Sequence, residues 1–187
     1  ETSKGTQLVD QDQQPFNAKP EKISKLRPAF RDNGTVTAAN ASSISDGAAA
    51  LALMLPSHAE AQGIKPIALI HGYQQVAHEP EWFTTAPVAA IKKTLKQVGW
   101  TQSDVDLWEI NEAFAVVALA AMQDLGISHK KLNIHGGACA LGHPIGASGA
   151  RIMVSLIHAL QQTGGTKGIA SLCIGGGEAT AVALELV

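Results

Sequence analysis

The sequence predicts an α/β domain in which helices pack on a mixed sheet that closes with an antiparallel hairpin. Three observations predict this class. Short apolar runs alternate along the chain with longer segments of helical period. Glycines stand directly after the helical segments, where helices commonly end. Two apolar runs near the end of the chain flank a glycine-rich turn, which is typical of a hairpin.

The first third of the chain predicts little regular structure. Residues 5–33 are polar and contain three prolines, so we expect a loop-rich segment. Residues 48–55 form a continuous apolar run, which favours a buried strand, although a turn of helix fits the run as well. Residues 57–62 indicate a short helix that ends at Gly63, and residues 66–72 indicate another short strand.

Most of the predicted helices and strands lie in the rest of the chain. In order they are an amphipathic helix at 87–98 before Gly99, a buried strand at 107–110, a helix at 113–125, a helix at 148–162, and strands at 169–174 and 179–187. Because the helix at 113–125 is apolar all round, we expect it to be buried on every side. Strands that alternate with helices favour a layered α/β fold.

Composition excludes several classes of protein. The 187 residues suffice for one domain with a core, and 45% apolar against 16% charged residues excludes a disordered chain. A net charge of −2 gives no reason to expect nucleic acid as the partner. Two cysteines cannot form a disulfide framework, so we expect a reducing, cytoplasmic compartment. Uncharged apolar stretches such as residues 113–123 fall short of the roughly 18 residues of a membrane span, so we expect no membrane association.

Basic residues cluster in one part of the loop-rich segment. Five of the fourteen lie within thirteen positions, at Lys19, Lys22, Lys25, Arg27 and Arg31. They form either a solvated face or a rim for an anionic ligand, such as the phosphates of a nucleotide-like molecule.

The first candidate site residues are Asn111 and Glu112. They follow the buried strand at 107–110 and precede the helix at 113–125. Ligands of α/β proteins commonly bind at the carboxyl ends of strands, so these side chains are candidates for a binding or catalytic role. The alternative is that one of them caps the helix.

The second candidate is His143, which stands between Gly142 and Pro144 in the glycine-rich stretch before the helix at 148–162. A histidine fixed on such a bend suits acid/base chemistry near pH 7. A zinc site is the rival interpretation, because His135, Cys139 and His143 are spaced by four. The surrounding glycines and Pro144 disfavour the helix that this spacing would need.

The third candidate is Cys173, at the end of a predicted strand and before three glycines. The free backbone N–H groups of such a turn can form an oxyanion hole beside a reactive thiol. A small buried core residue is the alternative, because free cysteine often fills that role.

Together these segments resemble the thiolase family. The resemblance is carried by Asn-Glu-Ala-Phe at 111–114, by the glycine-rich Gly-His-Pro segment at 136–151 and by Cys-Ile-Gly-Gly-Gly at 173–177, with further similarity upstream of residue 50. It implies a thiolase-like layered α/β fold of which this chain is the C-terminal half. Residues 1–44 would be the tail of the loop domain that binds coenzyme A, and residues 45–187 the C-terminal core domain.

The resemblance also implies an activity and the roles of four catalytic residues. The family transfers an acetyl group between coenzyme A thioesters through an acyl-cysteine, without a further cofactor. His143 would deprotonate the nucleophilic cysteine and help bind a thioester oxyanion, and Asn111 would hold a water that donates to the same oxyanion. Cys173 would move the proton at C2 of the acetyl group. The Gly175 N–H would form part of a second oxyanion hole.

Four further residues would bind the substrate. The resemblance places Ser42 and Ala38 against the pantetheine arm of coenzyme A, and Phe114 in the acyl pocket. Phe83 stands where relatives often have methionine, and its ring would narrow that pocket in favour of short acyl chains. The implied substrates are acetyl-CoA and acetoacetyl-CoA.

Neither Cys139 nor Cys173 matches the family's nucleophile, which belongs to the N-terminal half. The chain begins at Glu1 rather than methionine. We therefore expect a processed product or a part of something longer, inactive alone, whose partner is an N-terminal thiolase half and whose complete form is a homo-oligomer, dimer or tetramer. One alternative is a β-ketoacyl synthase relative, which uses another residue where this chain has Cys173. Another is a non-catalytic module that binds acyl-CoA or lipid, which the intact Asn111, His143 and Cys173 disfavour.

Overall fold

A four-stranded mixed sheet is the centre of the fold, in a computed structural model that describes residues 5–6 and 8–187. The strands are β1 Ala68–Ala77, β2 Leu107–Ile110, β3 Lys167–Cys173 and β4 Glu178–Leu186. Their order across the sheet is β1-β4-β3-β2. Strand β4 is antiparallel to both of its neighbours, whereas β2 and β3 are parallel. The predicted mixed sheet and its closing hairpin are confirmed.

Helices occupy much of the remaining described chain. The α-helices are α1 Gln13–Asn17, α2 Pro56–Ala61, α3 Ala86–Val98, α4 Ala115–Leu125, α5 Ala138–Leu141 and α6 Ser148–Thr163. Short 3-10 helices span Pro20–Lys25, Pro80–Thr85, Gln102–Asp104 and His129–Lys131. The long helices α3 and α6 lie within a residue or two of their predicted positions, because each has a clear apolar face and a glycine after its last turn.

Helices cover both faces of the sheet. Helices α3 and α4 pack with Trp108, Ile169 and Cys173 in one apolar cluster, and α6 packs with Leu107 and Ala170 in a second. Neighbouring residues of β2 and of β3 belong to different clusters because successive side chains of a strand point to opposite faces. The central strands are therefore buried on both sides.

The parallel pair places two of the candidate segments at one edge of the sheet. The Asn111 N–H donates to the carbonyl oxygen of Ser171 at 2.9 Å, so β3 continues alongside the first residue after β2. Because parallel strands end at the same edge, the loops that begin at Asn111 and after Cys173 emerge together there.

The apolar run at residues 48–55 is not the predicted buried strand. It has no regular structure and is mostly exposed, with Leu55 at 73%. A strand needs a neighbour for its hydrogen-bond ladder, and within the described residues none pairs with this run.

Within this chain, the helix predicted at 113–125 is buried on one side only. Helix α4 begins at Ala115, and only Val117, Ala118 and Ala121 are fully buried. Leu119 is 58% exposed, and Val116 is exposed beside it. The helix packs through one side on α3 and on the 3-10 helix Pro80–Thr85, which leaves an apolar face open.

Candidate active site

His143 lies on a bend between α5 and α6 that a glycine makes possible. Gly142 has φ +94°, and a Cβ at this position would overlap the Ser45 side chain. The His143 N–H donates to the carbonyl oxygen of Ser43 at 2.8 Å. The bend is therefore docked against the extended segment around residue 44, which fixes the position of the His143 backbone.

Both imidazole nitrogens of His143 have partners. Nδ1 lies 2.6 Å from the Ser148 hydroxyl, and Nε2 lies 3.3 Å from the Asn111 amide nitrogen. The Ser148 hydroxyl donates its proton to the Pro144 carbonyl oxygen at 3.0 Å, so Nδ1 carries the proton in the first contact. Nε2 then holds the lone pair and accepts from Asn111.

The pKa of His143 lies below its ordinary value of 6.5, first because of burial and second because of the positive charge of Arg151. At pH 7 the ring is neutral with its lone pair on Nε2. This protonation state is the one that a general base requires.

Asn111 is buried directly after β2 and is not a helix cap. The N-cap position of α4 is Phe114, and no side chain bonds to the first turn of that helix. The Asn111 amide oxygen accepts from Arg151 Nη2 at 3.2 Å. The alternative of a capping role is therefore wrong for this residue.

Glu109 and Arg151 form a buried ion pair beside Asn111 to which the sequence analysis gave no role. Arg151 Nη1 lies 3.7 Å from Glu109 Oε2, and the Glu109 side chain is only 2% exposed. Burial raises the pKa of Glu109 to about 7, which Arg151 opposes and Glu112 reinforces. A carboxylate inside the apolar strand Leu-Trp-Glu-Ile was the available signal, because a buried charge needs a partner.

Asn133 is a second group that sequence reasoning missed, and it ties the site to the edge of β2. Its amide oxygen accepts from the Ile110 N–H and its amide nitrogen donates to the Ile110 carbonyl, both at 2.8 Å. The same nitrogen donates to Glu112 at 2.9 Å. Asn133 has φ +48°, a conformation that asparagine tolerates better than most residues.

Cys139 is a protonated thiol in a structural position. Its Sγ lies 3.8 Å from the Glu112 carbonyl oxygen, and its N–H donates to the Glu112 carboxylate at 3.1 Å. Burial and the charge of Glu112 raise the pKa of Cys139 to about 12. Among the residues that the structure describes, no three His, Cys, Asp or Glu side chains gather as a metal site would require, so the zinc interpretation has no support.

Cys173 ends β3 and is almost fully buried, and this burial raises the pKa of its thiol to about 11. The turn that follows depends on Gly177, which has φ +101° and whose Cβ would overlap the His78 carbonyl oxygen. The Gly175 amide, by contrast, is exposed and has no acceptor within the described part of the chain. It is therefore available to a ligand.

The two residues predicted for the acyl pocket lie together. The Phe114 ring contacts Phe83 and Phe30, with ring centroids 6.3 and 5.9 Å apart, both edge to face. The three rings line an open cavity of about 580 Å³ that also includes Arg31 and Val116. Aromatic walls of this kind suit a small apolar group.

The two residues predicted to bind coenzyme A lie on the segment that docks at the start of α4. The N–H and the hydroxyl of Ser42 both donate to the Ala113 carbonyl oxygen at 3.0 Å. Ala38 is exposed on the turn before it, whose Asn40 carbonyl accepts from the Ala115 N–H at 2.8 Å. The basic cluster is exposed as well, which fits a solvated face and a phosphate rim equally.

Comparison with known proteins decides the family. A family model of the thiolase C-terminal domain matches residues 64–186, and one of the thiolase N-terminal domain matches residues 1–57. The chain belongs to the thiolase family.

Three relatives describe where this thiolase chain falls within the family. The acetyl-CoA acetyltransferase of Chromobacterium violaceum is 52% identical over 169 residues, which are 90% of this chain and 43% of that protein. The acetyl-CoA acetyltransferase structure from Bacillus anthracis superposes with a TM-score of 0.90 and 46% identity over 94% of this chain. A thiolase from Ascaris suum, solved in complex with coenzyme A, has a TM-score of 0.84 and 40% identity over 96% of this chain.

These relatives confirm the thiolase-like layered α/β fold. The two solved structures are matched over 45% and 47% of their lengths, so the chain spans less than half of the proteins that it resembles. The N-terminal family model ends at residue 57 and the C-terminal one begins at residue 64. The domain boundary predicted at residue 44 stays a prediction. Residues 1–4 and 7 of the predicted first domain lie outside the described residues. No helix in the described part of this thiolase chain is long and apolar enough to cross a membrane.

Proposed function

We propose that this chain is the C-terminal half of an acetyl-CoA C-acetyltransferase, which cleaves or forms short-chain 3-ketoacyl-CoA through an acyl-cysteine. One observation carries the proposal: a neutral His143, with its Nε2 lone pair beside Asn111, is held where the carboxyl ends of β2 and β3 meet, and β3 ends at Cys173. The names of the relatives, acetyl-CoA acetyltransferases in two organisms, support the substrate class.

In the first half-reaction, His143 Nε2 takes the proton of a nucleophilic cysteine that lies outside these 187 residues. The cysteine sulfur attacks the thioester carbonyl, and the carbonyl electrons move to oxygen. The protonated Nε2 and a water held by Asn111 donate to that oxyanion. The oxyanion collapses, the bond to the leaving group breaks, and the leaving group takes the proton from His143.

In the second half-reaction, Cys173 exchanges a proton with C2 of the acetyl group. For condensation its thiolate removes the proton, and C2 attacks the acyl-enzyme carbonyl while the nucleophile's sulfur leaves. For cleavage the nucleophile's sulfur adds to the C3 carbonyl of the 3-ketoacyl-CoA, the C2–C3 bond breaks, and the thiol of Cys173 supplies the proton to C2. Because burial raises the pKa of Cys173 to about 11, the resting group is the thiol, which is the form that cleavage uses. The exposed Gly175 N–H would donate to the enolate oxygen.

The hydrogen bonds within the chain indicate which groups remain available to the substrate. The Ser42 hydroxyl proton is donated to Ala113, so its oxygen would accept from an amide N–H of the pantetheine arm. Ala38, exposed on the neighbouring turn, would pack on the same arm. The cavity walled by Phe83 and Phe114 would hold a short acyl group. In this proposal the reaction uses protein side chains and coenzyme A thioesters and needs no further cofactor.

The partner in this proposal is an N-terminal thiolase half. It would supply the nucleophile and cover the open face of α4 at Val116 and Leu119, because an exposed apolar patch of this kind drives association. The complete enzyme would be a cytoplasmic homo-oligomer, and its residues 45–187 would form the C-terminal core domain.

The test compares residues 1–187 together with the N-terminal half, which we call the full-length protein, with residues 1–187 alone. Full-length protein incubated with labelled acetyl-CoA should gain one acetyl group on a cysteine, detected by peptide mass spectrometry, and should cleave acetoacetyl-CoA. Residues 1–187 alone should show neither, because removal of the nucleophile leaves only binding contributions. Turnover by the purified chain alone would make Cys139 or Cys173 the nucleophile and overturn the assignment. Tight coenzyme A binding by full-length protein without acetylation would favour the non-catalytic module.

A further inference from the structure

Three side chains from different elements connect the interior of the sheet to the imidazole of His143. Glu109 comes from β2, Arg151 from α6, and Asn111 from the loop after β2. Arg151 touches both of the others, at 3.7 Å to the Glu109 carboxylate and 3.2 Å to the Asn111 amide oxygen. Asn111 in turn touches His143 Nε2 at 3.3 Å.

We propose that Arg151, anchored by Glu109, is a positioning residue that holds the Asn111 amide in one orientation and so keeps the lone pair of His143 on Nε2. The expected effect of Arg151 on the rate of acylation rests on the proposed function. The effect of Arg151 on the state of His143 is independent of that function.

The amide orientation follows from the donor inventory. A guanidinium only donates, so Arg151 must face the amide oxygen of Asn111. The amide nitrogen, which also only donates, is then turned toward His143 Nε2. Two donors cannot pair, so Nε2 must be unprotonated in this arrangement.

Loss of Arg151 would remove the hydrogen bond that sets the orientation of the Asn111 amide. An amide rotated by half a turn would present its oxygen to Nε2, and an oxygen stabilises a protonated Nε2. His143 would then be held as the wrong tautomer or as the cation, and neither can accept a proton at Nε2. Ser148 constrains only Nδ1 and does not prevent this rotation.

Glu109 is the group that keeps the guanidinium in place. The Arg151 side chain is 18% exposed, and within the described residues its Nε and Nη1 have no hydrogen-bond partner. Above about pH 7, where Glu109 is ionised, its buried carboxylate attracts the guanidinium and supplies the restraint that hydrogen bonds do not. Without that carboxylate a buried cation would be drawn toward solvent, away from Asn111.

The positive charge of Arg151 and the orientation of the Asn111 amide have the same effect, because both disfavour protonation of His143. The cation of Arg151 disfavours a second positive charge on His143 and lowers the pKa of the imidazole. Other titratable groups on the elements around the bend are Asp46, Glu112, Cys139 and Cys173, and within the described chain none has a hydrogen bond or an ion pair with His143. Removal of Arg151 should therefore raise the pKa of His143 by both routes.

The experiment measures His143 directly in the full-length protein. Diethyl pyrocarbonate acylates only unprotonated imidazole, and peptide mass spectrometry resolves the rate at His143 as a function of pH. Arg151→Met should raise the midpoint of that profile by about half a pH unit or more. Arg151→Lys keeps the charge but not the planar fork, so it should move the midpoint less.

Two further variants control for charge loss and for folding. Lys131→Met removes a cation of the same domain that contacts the Val105 carbonyl, and it should leave the midpoint unchanged. The double variant Glu109→Gln/Arg151→Met removes both buried charges and leaves neither unpaired, so it should remain folded and show the same rise.

A second readout is the rate of acetyl-enzyme formation, which should fall about tenfold or more in Arg151→Met because the base is misoriented. An unchanged His143 midpoint in both Arg151→Met and the double variant would overturn the inference. If wild-type protein formed no acetyl-enzyme, the proposed function would fail, while the His143 midpoints would still decide this inference.

Discussion

The two halves of the candidate site are built by different means. On one side, His143 is fixed by side chains from separate elements: Asn111 after β2, Ser148 and Arg151 on α6. On the other, Cys173 is followed by a glycine turn in which backbone groups provide the geometry. Burial shifts the pKa of both groups, but only in the first half do hydrogen bonds also select which ring nitrogen carries the proton.

The two halves should therefore tolerate different substitutions. The histidine side depends on single polar atoms, so small side-chain substitutions should affect its rate. The cysteine side depends on backbone shape, so an added Cβ should disturb it most at Gly177, where φ is positive. Substitutions and changes of pH in the full-length protein should therefore separate the two halves.

Replacement of His143 should have the largest effect. His143→Ala should lower the rate of acetyl-enzyme formation by about 10³, because general bases typically contribute 10²–10⁴. The measurement is the burst of coenzyme A released from acetyl-CoA. His158→Ala, an exposed histidine on α6, is the control and should retain the burst. A normal burst in His143→Ala would remove the histidine from the mechanism.

Replacement of Cys173 should separate the half-reactions. Cys173→Ala should form acetyl-enzyme at nearly the wild-type rate but lower condensation by about 10²–10³, because only the C2 proton step needs the thiol. Acetyl-enzyme and acetoacetyl-CoA are quantified in the same sample. Cys139→Ala should leave both steps unchanged. Condensation near the wild-type rate without Cys173 would identify it as a core residue.

The two halves should also respond differently to pH. Because the pKa of Cys173 is raised to about 11, its thiolate fraction grows about tenfold per pH unit below that value, and exchange of the acetyl C2 protons with solvent should rise about a hundredfold from pH 7 to 9. The pKa of His143 is lowered below its ordinary value, so the imidazole is already mainly neutral at pH 7 and acylation should change little from pH 7 to 9. Deuterium exchange and the coenzyme A burst test this; a flat exchange profile would contradict the role of the thiol.

Two glycines of the same turn should differ in their effect on stability. Gly177→Ala should lower the free energy of unfolding by about 2 kcal/mol or more, because its φ is +101° and the new Cβ meets the His78 carbonyl. Gly175→Ala, whose Cβ would enter open space, should change it by less than about 1 kcal/mol. Urea unfolding compares the two, and equal losses would contradict the geometry of the turn.

The smallest expected effect is at Ser148. Ser148→Ala removes the acceptor of His143 Nδ1, and a lost hydrogen bond of about 1 kcal/mol corresponds to a fall of about five- to tenfold in the acylation rate. Ser155→Ala, on the same helix, is the matched control. A change in condensation without a change in acylation would place Ser148 in the other half of the site.

The fold was predictable from the sequence to the extent that the pattern is local. Strand β2 lies at its predicted position, 107–110, because a short and mainly apolar run is bounded there by the polar residues Asp106 and Asn111. Strand β1 was predicted at 66–72 but spans Ala68–Ala77, because the ladder with β4 continues along its more polar second half, where the apolar pattern gives little signal. The run at 48–55 misled because an apolar pattern does not reveal whether a neighbouring strand is present.

The candidate site was predictable where a motif carried it and not where packing created it. His143, Asn111 and Cys173 were found from their unusual neighbours in sequence. The contact of Arg151 with Glu109 joins residues on α6 and β2 that no local spacing connects. It arises only because α6 lies on the face of the sheet to which Glu109 points.

The side-chain amide of Asn133 has a consequence for the aggregation of this protein. It bonds both polar backbone groups of Ile110, as a neighbouring strand would, and the Asn133 N–H donates to the Trp108 carbonyl at 2.9 Å. The outer margin of β2 thus has its backbone groups occupied by a loop that cannot extend the ladder. Exposed sheet margins recruit strands from other molecules, which leads to aggregation. One asparagine therefore closes this margin and keeps β2 from acting as a template.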